Sequence, residues 1–163
     1  MEDQSDCSSM PAHVVWSDRE GHGAPAYVFV GERRSSRAIA LGVHWEDGRL
    51  AARTLHDALR ALGLDPARQT YVNLFCETDP RAVDADILAS IHRYDRAGVT
   101  IVAMGRPVQA VLTRAGVAHL RLIHPAARGS IRARSAYQAH VAAVLGSPRI
   151  SREDIDGSIR RRD

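Results

Sequence analysis

Three side chains of complementary chemistry sit in or just after short apolar runs. Glu32 follows Ala26-Tyr27-Val28-Phe29-Val30-Gly31, Asn73 lies in Thr70-Tyr71-Val72-Asn73-Leu74-Phe75, and His124 follows His119-Leu120-Arg121-Leu122-Ile123. An ionised carboxylate steadies a developing cation or orients a water. A carboxamide offers a donor and an acceptor to a polar edge. A neutral imidazole donates an N–H to an oxygen on which negative charge develops. The remaining histidines, His13, His22, His44, His56, His92, His119 and His140, show neither H-x3-H nor HExxH spacing, so no metal site is expected.

The trio is useful only if a fold gathers it. The run 26–30, closed by Gly31, reads as a strand buried on both faces, and 70–75, 99–104 and 119–123 read as three more. Leu50, Leu55, Ala58, Leu59 and Leu62 recur at helical spacing within 48–62, and Gly63 supplies a stop. Asp79-Pro80 marks a turn before a helix over 81–96, Pro107 opens one to Ala115, and a last helix covers 133–145. Strand–helix alternation of this kind predicts an α/β three-layer sandwich around a central four-stranded parallel sheet. Functional groups in such sheets gather at the carboxyl ends of the strands. Those ends are 31–35, 73–79, 105–107 and 124–129, which would face one crevice.

A chain of 163 residues is read as one domain over 25–146. Residues 1–24 are polar, with Gly21 and Gly23 as breakers before Pro25, and read as a flexible lead-in. Residues 147–163 read as a polar, arginine-rich tail. All 22 basic residues are arginine. Without lysine, Schiff-base chemistry at a side chain, a P-loop and a pyridoxal site are excluded. Net charge is only +3, but nine arginines stand against three carboxylates between Arg121 and Arg162, a distribution suited to phosphate contacts. Cys7 and Cys76 are too few for a cluster or a four-thiolate zinc site and are expected to be free thiols. No apolar run approaches the ~20 residues that span a bilayer. The N-terminus has neither a basic nor an apolar signal region, so a cytoplasmic monomer is expected, with no membrane partner and no cofactor.

The same segments resemble the uracil-DNA glycosylase superfamily. Gly31-Glu32 after a strand is similar to its first motif, and Tyr71-Val72-Asn73-Leu74 to the strand whose asparagine reads the flipped base. Gly105-Arg106-Pro107 fits its layout before a helix. Leu122-Ile123-His124-Pro125-Ala126-Ala127 is similar to the His-Pro motif that begins its minor-groove loop. The resemblance covers residues 26–145 in order and spacing. It implies a uracil-DNA glycosylase-like fold and a monofunctional DNA glycosylase that flips a nucleotide out of double-stranded DNA and hydrolyses its N-glycosidic bond. Asn73 would read the base, His124 would donate to it, and Glu32 would orient water or steady the sugar cation. Trp45 lies about where the family has a stacking phenylalanine, and Phe75 is a second stacking candidate. Arg33, Arg34, Ser35, Arg106, Arg128 and Arg132 would contact DNA, with Arg128 as wedge or phosphate ligand in the loop 126–130.

The first motif continues Arg33-Arg34-Ser35-Ser36-Arg37, where uracil enzymes carry small apolar residues. The base is therefore left open between uracil or another deaminated base and a decorated one, such as glucosylated 5-hydroxymethylcytosine in phage DNA, an anti-phage role. The cysteines that hold an iron–sulfur cluster in some relatives are missing. The alternatives are a nucleotide- or nucleic-acid-binding protein on the same fold that does not cut, and a different small α/β enzyme acting on free nucleosides.

Overall fold

The structure, a computed structural model, describes residues 27–146; the expected lead-in (1–24) and tail (147–163) lie outside the described residues. Strand β1 (Tyr27–Gly31) sends Val28 and Val30 into one cluster and Phe29 into another, and all three are fully buried. A strand covered on both faces has no polar position to offer, which is why the run reads as continuously apolar. It pairs in parallel with β2 (Thr70–Asn73) and β3 (Thr100–Met104), and β3 pairs in parallel with β4 (Leu120–Leu122), giving the order β2-β1-β3-β4.

Five helices follow in chain order: α1 (Ser36–Ala40), α2 (Ala51–Ala61), α3 (Ala85–Arg96), α4 (Arg106–Arg114) and α5 (Arg134–Leu145). Ile87 and Ile91 of α3 and Val108 and Leu112 of α4 pack on Val28, Val30, Val72 and Ile101. Leu55 and Leu59 of α2 and Tyr137 and Val141 of α5 cover the opposite face, on Phe29, Tyr71, Val102 and Met104. The expected α/β sandwich of three layers around a four-stranded parallel sheet is therefore present.

Several local expectations are corrected. Helix α1 lies where the sequence pattern predicts no element; Ser35 caps it by accepting the Ala38 N–H, and none of its residues is buried. Strand β2 stops at Asn73, and Phe75 makes an isolated antiparallel bridge to Val83 instead of extending it. Helix α3 starts at Ala85 because the Asp84 carboxylate accepts from the Asp86 and Ile87 amides, making Asp84 the N-cap. Helix α2 starts at Ala51, after Leu50 takes a positive φ of 54°. Cys7 lies outside the described residues, and Cys76 is disulfide-bonded, so the expectation of two free thiols fails. No helix among the described residues is long and apolar enough to cross a membrane.

Candidate functional site

Backbone pairing continues past the strand ends and sets out the site. The Leu74 and Phe75 amides donate to the carbonyls of Gly31 and Glu32, both at 2.9 Å, and the Gly105 amide donates to the Leu122 carbonyl at 2.9 Å. Glu32, Asn73, Gly105 and His124 thus emerge along one edge of the sheet. Gly105 has φ +93°, and a methyl group there would lie 3.1 Å from Glu32 Oε1 and 3.6 Å from His124 Cβ. Glycine at this position admits both the backbone turn and the close approach of Glu32 and His124. The Gln109 carboxamide fastens the two strand ends beneath them, donating to the carbonyls of Ala103 (3.2 Å) and Leu122 (3.1 Å).

Helix α5 holds His124 in place through the preceding residue. The Ile123 amide donates to His140 Nε2 at 3.0 Å, and the Ile123 carbonyl accepts the Tyr137 hydroxyl at 3.0 Å. The Ala126 amide donates to His124 Nδ1 at 3.1 Å, which makes Nδ1 an acceptor and leaves the ring proton on Nε2 in the neutral form. Burial holds the His124 pKa below its ordinary value, opposed by the charge of Glu32. The pair therefore presents a neutral N–H donor beside a carboxylate that has no hydrogen-bond or ion-pair partner among the described residues.

Trp45 sits in a 3-10 turn (Trp45–Asp47) and covers the end of β1. Its indole N–H donates to Asn73 Oδ1 at 2.9 Å, and a methyl group at Gly31 would lie 2.9 Å from that oxygen and 3.0 Å from Trp45 Cζ2. The indole stacks on Tyr71 (centroids 6.4 Å apart, planes at 14°) and meets His124 edge-on (6.0 Å, 65°). The ring is thus held on three sides, with its remaining surface toward a cavity.

That cavity, of about 250 Å³, is lined by Ala38, Val43, Leu50, Ala51, Ala52 and Ala126 with Trp45, His44 and His124, and by Arg33, Arg34, Arg37 and Arg49. No carboxylate lines it. Its size suits one small heterocycle. Arg34 is committed: its guanidinium forms a two-pronged ion pair with Glu77, through Nε to Oε1 and through Nη2 to Oε2 at 3.0 Å, while Nη1 lies 3.2 Å from His44 Nε2. The bond to Glu77 raises the Arg34 pKa, and the same bond to Arg34 lowers that of Glu77. Arg33, Arg37 and Arg49 are exposed and form no ion pair among the described residues. Leu50, with its positive φ, stores about 1–3 kcal/mol of backbone strain at the cavity wall.

The expected site residues thus separate. Glu32 and His124 come together, with Asn73 and Trp45 beside them. Asn73 does not line the cavity, because Trp45 stands between. Phe75 is not a stacking platform: it is buried in the cluster under α3 and α4, on the sheet face away from Trp45. Ser35 spends its hydroxyl on capping α1, and Arg34 on Glu77. Arg106, the first residue of α4, is exposed, as are Arg128 and Arg132 between β4 and α5; none of the three lines the cavity. Sequence reasoning missed Gln109, Tyr137, His140, Arg37, Arg49 and Glu77. Only Arg37, close to Arg33 and Arg34, carried a signal in its spacing. Among the described residues no group of His, Cys, Asp and Glu is arranged to hold a metal ion. No protein-family model matches the chain, and no curated protein matches it.

Proposed function

We propose that the chain is a monofunctional DNA glycosylase, a divergent member of the uracil-DNA glycosylase superfamily, that hydrolyses the N-glycosidic bond of a flipped nucleotide. The observation that carries this reading is the meeting of Glu32 with His124 across Gly105, beside an apolar cavity edged by unpaired arginines. The bond from C1′ to the base breaks with its electron pair leaving on the base. His124 Nε2–H donates to the base oxygen that gains this charge. Glu32 faces the cationic sugar and directs a water whose oxygen adds to C1′, taking up the proton the water loses. Trp45 supplies the ring on which the base stacks, braced at its edge by Asn73 and on its other face by Tyr71. With no lysine, no side-chain amine is present to cut the strand afterwards. The finer choice of base, uracil or a decorated pyrimidine such as a phage base, rests with Arg33, Arg34 and Ser35 at the cavity's edge.

One observation favours a second reading, a nucleotide-binding protein that does not cut. The Asn73 carbonyl is taken by the Trp45 indole, so reading a base edge with both halves of the amide requires Trp45 to move. The test is abasic-site formation on duplexes carrying uracil, hypoxanthine, 5-hydroxymethylcytosine or its glucoside, with wild type, Asn73→Ala and His124→Ala. Release from one duplex, slowed at least about 10²-fold by His124→Ala, is expected. Tight binding of the duplexes with no release from any of them selects the second reading.

A further inference from the structure

Residues 39–42, Ile39-Ala40-Leu41-Gly42, form the most exposed apolar feature beside the cavity. The wall of the cavity leaves at Ala38 and returns at Val43, and both residues line it. The Val43 amide donates to the Ala38 carbonyl at 2.9 Å, closing the base of the turn, and the Gly42 amide donates to the Ile39 carbonyl at 3.0 Å. All four residues between them are exposed, with Ile39 at 40% and Leu41 at 49%. Single exposed leucines need no explanation. Here two large apolar side chains share one braced turn, on a helix that buries nothing, so burial in this fold does not account for them. Arg37 precedes the turn, and Arg33 and Arg49 line the same cavity; all three are exposed and unpaired among the described residues.

An apolar projection among cations, at the mouth of a cavity sized for one ring, matches a nucleic-acid duplex with one base displaced. We infer that Ile39 and Leu41 are the wedge: they enter the base stack at the position the flipped nucleotide leaves, while Arg33, Arg37 and Arg49 hold the flanking phosphates. This inference rests on the glycosylase reading and names a different element from the loop 126–130, whose Arg128 the sequence put forward. Apolar wedges of Ile and Leu part base steps in this way, and the cost of unstacking is met by the filled gap. Charge complementarity selects nucleic acid over a second copy of this chain, which would bring its own arginines to the same face.

The test compares wild type with Ile39→Ala/Leu41→Ala and with Arg37→Gln. Binding is measured to an intact duplex and to one with a single-nucleotide gap, and flipping is followed by the fluorescence of a 2-aminopurine beside the target. Ile39 and Leu41 are exposed, so the double variant is expected to keep its unfolding midpoint. Wild type should prefer the gapped duplex by roughly a hundredfold, the scale set by unstacking one step. The double variant should lose that preference and the 2-aminopurine signal, whereas Arg37→Gln should weaken both duplexes alike. A double variant that flips and prefers the gap as wild type does overturns the wedge and leaves the glycosylase reading standing. Wild type that binds neither duplex overturns both. A wild-type dimer that the double variant turns into monomers overturns the wedge in favour of a contact between copies.

Discussion

The two faces of the sheet are built from different materials. Under α3 and α4 the buried set is aliphatic apart from Phe75: Val28, Val30, Val72, Leu74, Ile87, Ile91, Ile101, Val108, Leu112 and Val117. Under α2 and α5 it contains Phe29, Tyr71 and Tyr137, with Tyr27 and Trp45 packed against them and His56 tilted on Tyr71 at 5.3 Å. Aliphatic side chains fill volume and ask nothing of their neighbours. The aromatic side must also place its polar atoms, so Tyr71 donates to the Pro66 carbonyl, Tyr137 to that of Ile123, and Trp45 to Asn73. Two of those three bonds hold the candidate site. The aliphatic face therefore reaches the site only through Gln109 of α4, which ties the strand ends together, whereas the aromatic face also orients His124 and Trp45.

Four substitutions and a titration sharpen that contrast. The largest effect is expected at the strand ends: Glu32→Gln and His124→Ala should each slow base release by about 10²- to 10⁴-fold, read in single-turnover assays, with little change in the urea midpoint. Next, Leu112→Ala on the aliphatic face should cost about 2–5 kcal/mol of stability while folded protein keeps its activity, a separation that urea melts and activity at low temperature reveal. Gly31→Ala should cost about 1–3 kcal/mol, because its methyl group would lie 2.9 Å from Asn73 Oδ1 and 3.0 Å from the Trp45 ring. In a Trp16→Phe background, the emission of Trp45 should shift as the indole leaves Asn73. An unchanged spectrum would argue that Trp45 is not braced as described.

The smallest effect is that of pH. Burial lowers the pKa of His56 below 6.5, helped by the Arg60 charge and opposed by Asp57 and a hydrogen bond to the Trp45 backbone; burial lowers His119, His124 and His140 as well. A depressed histidine binds its proton more readily in the unfolded chain. Stability is therefore full above pH 6.5 and declines as pH falls through the window below it. Urea midpoints at about pH 7.5 and about pH 5.5 should show this decline. On the proposed mechanism, in which His124 is the neutral donor, the acid limb of base release should likewise lie below pH 6.5.

The sheet was legible because its strands are covered on both faces and so read as unbroken apolar runs; helices α2 to α5 showed their apolar spacing or a turn signal. Helix α1 was not legible, since it buries no residue and leaves no periodic trace. Phe75 misled for the opposite reason: an apolar residue after a strand does not disclose which face it enters, and the Phe75–Val83 bridge turned it away from Trp45. Glu32, Asn73 and His124 were visible as types at strand ends. The Trp45–Asn73 bond joins residues 28 apart and the Arg34–Glu77 pair residues 43 apart, and only packing brings such partners together.

The most direct test of the glycosylase account separates binding from cutting at Glu32. A duplex carrying the base that wild type releases is titrated with wild type and Glu32→Gln at about 50 and about 200 mM salt, and base release is timed on the same samples. The account predicts equal affinity and equal salt dependence for the two proteins, with release slowed at least about 10²-fold in the variant. Wild type that binds every duplex offered and releases no base, or a Glu32→Gln variant that releases base at the wild-type rate, would contradict it.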